Sequence, residues 1–262
     1  MSNLQIVVGI PARMASSRFP GKPMCRINGL TMIEHVYRRC SLSEIVDQVF
    51  IATCDEEIRS EVESFGGVAI MTDPDISRPG LRVAEACKQL ELADDDIVVV
   101  VQGDEALMHP DMLDLAVKPL LVDSSIFCVN LAGDLEDEHW QDANEIKVVC
   151  DLQMNALYMS RSAIPSSFHP EKLRTESNVT GGRYRQVCVF PFRKADLLAF
   201  NELSVTPLEL AESVEMLRAI EHGRTVRMVY SPFATKSVDT EDDRRAVEIL
   251  MADDPIYKRY GS

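Results

Sequence analysis

Apolar residues along the chain fall into short blocks whose spacing alternates between that of a buried strand and that of a helix. Residues 4–10 form a nearly continuous apolar run that stops at Pro11, and residues 97–101 read Ile-Val-Val-Val-Val. Runs of this kind are strands buried on both faces. Between them the rhythm is regular. Met32, Ile33, Val36 and Tyr37 have helical spacing and predict a helix over 32–40, followed by a strand over 46–52. A helix over 55–65 opens on acidic residues and closes at Gly66-Gly67; 68–71 is a third strand and 81–92 a further helix. Strand, helix, strand in this succession predicts a parallel sheet with crossover helices.

The second half is less regular. Strands are predicted over 125–130, 146–150, 156–160, 187–192 and 226–230, and helices over 207–221 and 240–252. Residues 164–182 are rich in Ser, Pro, Thr and Gly and read as loop. No repeat and no long linker divides the chain. One α/β domain over 1–262 is expected, with a smaller lobe or subunit contact at about 152–193.

Charge and composition narrow the partners. Lys and Arg number 27 against 42 Asp and Glu, a formal charge of −15, which argues against nucleic acid or an anionic membrane as partner. A phosphate-bearing small ligand needs only a few local cations. The longest apolar runs, such as 97–101, are far short of the roughly 18 residues of a membrane span. No secretory signal pattern opens the sequence, so a soluble, cytoplasmic protein is expected. The 7 cysteines are scattered without a C-x-x-C pair and read as reduced thiols; the 5 histidines show no zinc-binding spacing.

Three segments carry candidate chemistry. The first is Ile10-Pro-Ala-Arg-Met-Ala-Ser-Ser-Arg-Phe-Pro-Gly-Lys-Pro23, the loop after the first strand. It lies at the carboxyl edge of a parallel sheet, where open α/β proteins bind ligands. Arg13, Arg18 and Lys22 supply cations, and Ser16, Ser17 and Gly21 supply hydroxyls and accessible backbone N–H groups, a set suited to a triphosphate. It is neither a Walker A loop nor a G-x-G-x-x-G turn. The second is Val101-Gln-Gly-Asp-Glu105, which puts Asp104 just past a buried strand, well placed for Mg²⁺ beside phosphates or, alternatively, as a cap. The third is Ser237-Val-Asp-Thr-Glu-Asp242, where Asp239 or Thr240 could cap the last helix.

In this order the segments resemble the cytidylyltransferases that activate sugar acids, most closely the 3-deoxy-manno-octulosonate (Kdo) cytidylyltransferase, or CMP-Kdo synthetase, family. The resemblance extends through Asn144-Glu-Ile-Lys-Val-Val149, Ala156-Leu-Tyr-Met-Ser-Arg161, Thr206-Pro-Leu-Glu209 and Val238-Asp-Thr240, and so covers nearly the whole chain. It implies a Rossmann-like, GT-A-like nucleotidyltransferase fold with a mainly parallel central sheet, an acceptor-binding or dimerisation lobe at about 152–193, and a homodimer. It also implies Mg²⁺-dependent transfer of CMP from CTP to a Kdo-like 3-deoxy-2-keto sugar acid, with release of pyrophosphate, for surface-polysaccharide assembly. By resemblance, Arg13 and Lys22 hold the triphosphate with help from Arg18, and Asp104 and Asp239 carry Mg²⁺. Pro11, Ala12, Ser16, Arg78, Gly80, Arg82, Gln102 and Gly103 complete the nucleotide site. Gln102, Arg161, Gln186, Phe190, Glu215 and Met216 form the acceptor site, with Arg161 expected to meet the acid's carboxylate.

The chain departs from the family at two places. The family's glutamine-serine-glycine-threonine-glutamate-arginine loop reads Ser77-Arg-Pro-Gly-Leu-Arg82, which bears on the base preference. The family's histidine and tyrosine are Gln186 and Phe190 here, and its glutamate-glutamine pair is Glu215-Met216. A polyol buried against these side chains would lose hydrogen-bond partners, so ordinary Kdo is expected to be a poor acceptor. Two other readings stand beside this one: the same transfer to a phosphonate or other small acid, and a non-catalytic nucleotide-binding relative. Retention of Arg13, Lys22, Asp104 and Asp239 together argues against the latter.

Overall fold

The computed structural model describes residues 4–15, 19–166 and 183–261. The first strand, β1 (Ile6–Ala12), leads to a small hairpin, β2 (Arg26–Ile27) and β3 (Leu30–Thr31), and then to α1 (Met32–Cys40). β4 (Gln48–Thr53), α2 (Glu56–Ser64), β5 (Ala69–Met71), α3 (Pro79–Cys87), β6 (Ile97–Val101) and α4 (Asp111–Val122) follow. Strands β5, β4, β1 and β6 lie side by side and parallel, as the alternating pattern predicts.

The second half brings β7 (Cys128–Asp134), β8 (Lys147–Cys150), β9 (Ala156–Ser160), β10 (Tyr184–Val187) and β11 (Val189–Arg193). After them come α5 (Lys194–Glu202), α6 (Pro207–Glu212), α7 (Met216–Glu221), β12 (Val226–Tyr230) and α8 (Glu241–Ala252). All but the hairpin strands join one sheet of 10 strands, whose second half is mixed. β10 and β11 are consecutive pieces of one antiparallel path along β7, interrupted at Cys188. Below the break β11 has β6 on its other flank; above it β10 has β8. The sheet therefore forks at Cys188, and the gap between the end of β6 and β8 becomes a cleft.

Alternate residues of the central strands feed two apolar layers. Val7, Phe50, Val98 and Val100 face α3, α5 and α7, through Val83, Phe200 and Leu217 among others. Val8, Ile10, Ile51, Val99 and Val101 face α1, α2 and α4, through Ile33, Val62 and Leu113. This two-sided burial is why 97–101 carries no polar residue at all. No helix among the described residues is long and apolar enough to cross a membrane. All 7 cysteines are free thiols.

Several predicted boundaries move, each for a local reason. β1 does not stop at Pro11 but runs through Ala12, because its pairing with β6 ends at Gly9 opposite Val100. Beyond that point only β4 flanks it, and a proline's missing N–H costs no ladder bond on the open side. α3 begins at Pro79, a favoured first-turn residue, and ends at Cys87 rather than 92. The single helix expected over 207–221 is two, broken at Ser213, whose φ of 54° is left-handed. The strand expected over 125–130 is shifted to Cys128–Asp134, and that over 187–192 is split at Cys188. Helices α4 and α5 were not assigned from the sequence; Pro119 lies inside α4 and interrupts its helical signal. Most of the loop expected over 164–182 lies outside the described residues.

Candidate active site

β1 and β6 end side by side at the carboxyl edge of the parallel half, so the loops after them face one another. Gly21, with φ of 70°, makes the left-handed turn that starts a short helical turn, Lys22–Met24. From there Lys22 extends back to the end of β6. Its Nζ donates to Asp104 Oδ2 at 2.6 Å and to Asp239 Oδ1 at 2.9 Å. Burial opposes the ammonium charge, but the two carboxylates outweigh it and hold the Lys22 pKa above its usual value.

Asp104 and Asp239 come from opposite ends of the chain and are pinned together by the residues around them. Val238 N–H donates to the Asp104 carbonyl at 3.1 Å. Glu105, fully buried, accepts from Thr235 Oγ1 at 2.6 Å and Ser237 Oγ at 2.8 Å, anchoring the stretch that leads to Asp239. Burial, with the neighbouring Asp104 charge, pushes the Glu105 pKa up. A Cβ on Gly103 would meet the Pro11 carbonyl at 3.0 Å, so glycine lets this loop close on the end of β1. Of the two caps considered for α8, Thr240 is the one used: its hydroxyl accepts from Asp243 N–H in a reciprocal capping box. The Asp239 carboxylate is thereby left facing the cleft and Lys22.

The cleft above the pair encloses about 330 Å³. Pro11, Ala12, Arg13, Lys22, Arg78, Arg82, Gln102 and Gly103 line it together with Asp104 and Asp239. Arg13 is exposed at its mouth. The Arg82 guanidinium is committed to Thr72 Oγ1 and to the carbonyls of Asp73 and Ile76, bracing the wall. Gly80 is buried in the first turn of α3 and does not line the cleft; it lies beside the Glu215 carboxylate. Ser16 and Arg18 lie outside the described residues.

A second cleft, about 480 Å³, opens at the fork in the sheet and shares Arg78, Pro79 and Gln102 with the first. Gln102, Arg161, Gln186, Phe190, Glu215 and Met216 all line it. Arg161 gives Nε to the Glu212 carbonyl at 2.8 Å, Nη1 to Ala143 O at 2.9 Å and Nη2 to Ser213 O at 3.4 Å. A guanidinium has five N–H donors, so it can brace this wall and still meet a ligand. Gln186 donates to Asn130 Oδ1 at 2.7 Å. Glu215 is pushed up to about 7 by burial, against the pull of Arg78.

Sequence reasoning gave no role to the charged groups behind these walls. Glu209 joins Arg78 at 2.8 Å to Arg218, which meets it through two hydrogen bonds of 2.8 and 2.6 Å. Lys147 is wholly buried and donates to the carbonyls of Asp142, Glu145 and Arg161. Glu212 accepts from Tyr158, Ser160 and the Arg161 N–H. The available signal was a charge inside an apolar run, as at Ile146-Lys147-Val148 and Leu217-Arg218-Ala219.

Two carboxylate oxygens converging on one point are a hard-donor set of the kind that fits Mg²⁺, and the Lys22 ammonium occupies that point. Two adjoining clefts, with cations and a carboxylate pair at the first, suit a nucleotidyltransferase, the class that the comparisons show. Comparison with known proteins narrows the class. The sequence profile of the cytidylyltransferase family matches residues 7–228. A 3-deoxy-manno-octulosonate cytidylyltransferase of Geobacter metallireducens is 40% identical over 92% of this chain and 95% of its own. An 8-amino-3,8-dideoxy-manno-octulosonate cytidylyltransferase of Shewanella loihica is 36% identical over 96% of this chain and 100% of its own. The solved structure of a CMP:2-keto-3-deoxy-manno-octonic acid synthetase complexed with CTP matches with a TM-score of 0.85 and 34% identity, covering 95% of this chain and 98% of that one. The chain belongs to the cytidylyltransferase family, as its motifs imply.

Proposed function

We propose that this enzyme transfers CMP from CTP to a 3-deoxy-2-keto sugar acid of the manno-octulosonate type, releasing pyrophosphate, with Mg²⁺ held by Asp104 and Asp239. The observation that carries this reading is the junction of the two clefts at Arg78, Pro79 and Gln102, next to the carboxylate pair. Arg13 and Lys22 orient the triphosphate and offset the charge that grows on the departing pyrophosphate. Mg²⁺, when bound, neutralises phosphate charge and lowers the pKa of the attacking hydroxyl. The acceptor hydroxyl is the nucleophile, so the chain needs no covalent intermediate of its own. Gln102 lines both clefts, and Arg161, in the wall of the second, would on this reading meet the acid's carboxylate.

Within this class we favour an octulosonate with an altered substituent over ordinary Kdo. Phe190 and Met216 give the cleft an apolar wall, while Glu215 offers a carboxylate to a cationic group such as the amine of the 8-amino acid. A pyrophosphate-release assay tests both levels. CTP should be used in preference to other nucleotides, EDTA should stop the reaction, and the 8-amino acid should exceed Kdo in kcat/KM. The double variant Phe190→Tyr, Met216→Gln should shift that ratio about tenfold towards Kdo, the value of one restored hydrogen bond of ~1–1.5 kcal/mol. Release with no octulosonate, or only with a phosphonate, would overturn the acceptor class; equal use of Kdo would overturn the preference.

A further inference from the structure

We propose that Lys22 is a resident cation that keeps the Asp104–Asp239 pair closed to metal until a nucleotide arrives, so that metal and nucleotide enter together. The inference rests on the reading of this pair as the metal site. The Lys22 Nζ stands 2.6 Å from one carboxylate oxygen and 2.9 Å from the other. Mg²⁺ would need that same point, at roughly 2.0–2.1 Å from its oxygens. Ammonium and metal therefore cannot both occupy it. Two carboxylates this close need a counter-cation whenever they are ionised, and the chain provides one of its own.

The backbone at Lys22 is fixed while its side chain can swing. Gly21 sets the turn at φ of 70° and Pro23 is buried, so exchange requires only rotation of the four-carbon stem. Triphosphate in the adjoining cleft, where Arg13 already waits, offers the ammonium a new partner and exposes the carboxylates. Metal entering without nucleotide must displace the ammonium and leave it stranded in a half-buried place. By linkage, nucleotide raises metal affinity and metal raises nucleotide affinity by the same factor.

Titration with Mn²⁺, followed by electron paramagnetic resonance, separates this from a merely structural ion pair. Without nucleotide, wild type should bind Mn²⁺ weakly, and Lys22→Met should bind it about tenfold or more tightly, the scale on which site coupling operates. Lys22→Gln serves as a second neutral variant, with folding of each checked by circular dichroism. Lys22→Arg, which keeps the charge, should stay near wild type. The gain should vanish in the double variant Lys22→Met, Asp104→Asn. If both neutral variants bind Mn²⁺ no better than wild type, the resident-cation role is wrong. A parallel titration with CTP present tests the underlying site: Mn²⁺ binding that is insensitive to Asp104→Asn would overturn the metal reading, and this inference with it. Binding that is sensitive, with no gain in either neutral variant, would overturn the inference alone.

Discussion

Lys22 changes what removal of Asp104 or Asp239 should do. Two facing carboxylates without a counter-cation repel, and deleting one would relieve the molecule. Here the ammonium between them has already cancelled that repulsion, and each deletion instead removes a charged hydrogen bond from a half-buried lysine. Asp104→Ala and Asp239→Ala should each abolish pyrophosphate release with the fold intact. Each should also lower stability by about 1–2 kcal/mol, the worth of a hydrogen bond between charged groups, less its partial exposure. Urea denaturation measures this; a gain in stability in either variant would mean that Lys22 does not hold the pair as described. Glu105 belongs to the same scale. It touches no ligand cleft, yet its two hydroxyl partners decide where the chain leading to Asp239 runs.

At the scale of elements, the carboxyl edge of the parallel half was legible and the fork beside it was not. Uniform burial writes itself into 97–101 as five apolar residues, and the punctuation at Pro11, Gly21 and Gly103 marks the loops that follow. The fork at Cys188 depends on which strand flanks each half of one antiparallel path, information carried by pairing between residues about 40 to 90 apart in sequence. The break between α6 and α7 was hidden similarly. Leu208, Ala211, Val214 and Leu217 keep helical spacing straight through Ser213, and only the tertiary roles of Glu209, Glu212 and Arg218 require two helices. Glu209 ties α6 both to α7, through Arg218, and to the start of α3, through Arg78, so it sets the shared wall of the two clefts. Glu209→Ala leaves Arg218, almost fully buried, with only the more distant Glu215 carboxylate at 3.8 Å, so the loss should approach the low end of the roughly 3–5 kcal/mol that a broken buried pair costs. Thermal denaturation should show that loss, and KM should rise for nucleotide and acceptor together, because Arg78 borders both. A rise confined to one substrate would mean that Arg78 serves a single cleft.

For the molecule as a whole, two titrating groups, His35 buried and Glu215 half-buried, pull stability in opposite directions as pH changes. His35 is fully buried in α1, with Nε2 on the Ile27 carbonyl at 2.7 Å and Nδ1 on Tyr260 Oη at 2.9 Å. The carbonyl requires a proton on Nε2, so Nδ1 accepts from the tyrosine and the ring is neutral. Burial lowers its pKa from 6.5 to about 4, so its contribution is complete above 6.5 and is lost as pH falls through that window. Glu215 is the reverse case: burial raises it from 4.5 to about 7, the folded chain binds the extra proton, and stability is lost as pH rises through that window. Between about 4.5 and 6.5 the two slopes oppose one another, which flattens their combined effect. The cost of Glu215 at neutral pH is the cost of an acidic side chain half-buried in the wall of the second cleft. Glu215→Gln keeps the shape of the side chain and removes the titration. It should match wild type in Tm near pH 4.5 and exceed it by roughly 5 °C at pH 7.5, corresponding to about 2 kcal/mol in a chain of this size. It should also lose discrimination in favour of a cationic acceptor. Melting curves at the two pH values decide the first point: an equal difference at both would mean that Glu215 titrates alike in the folded and unfolded chain, and that its place in the second cleft exacts no stability.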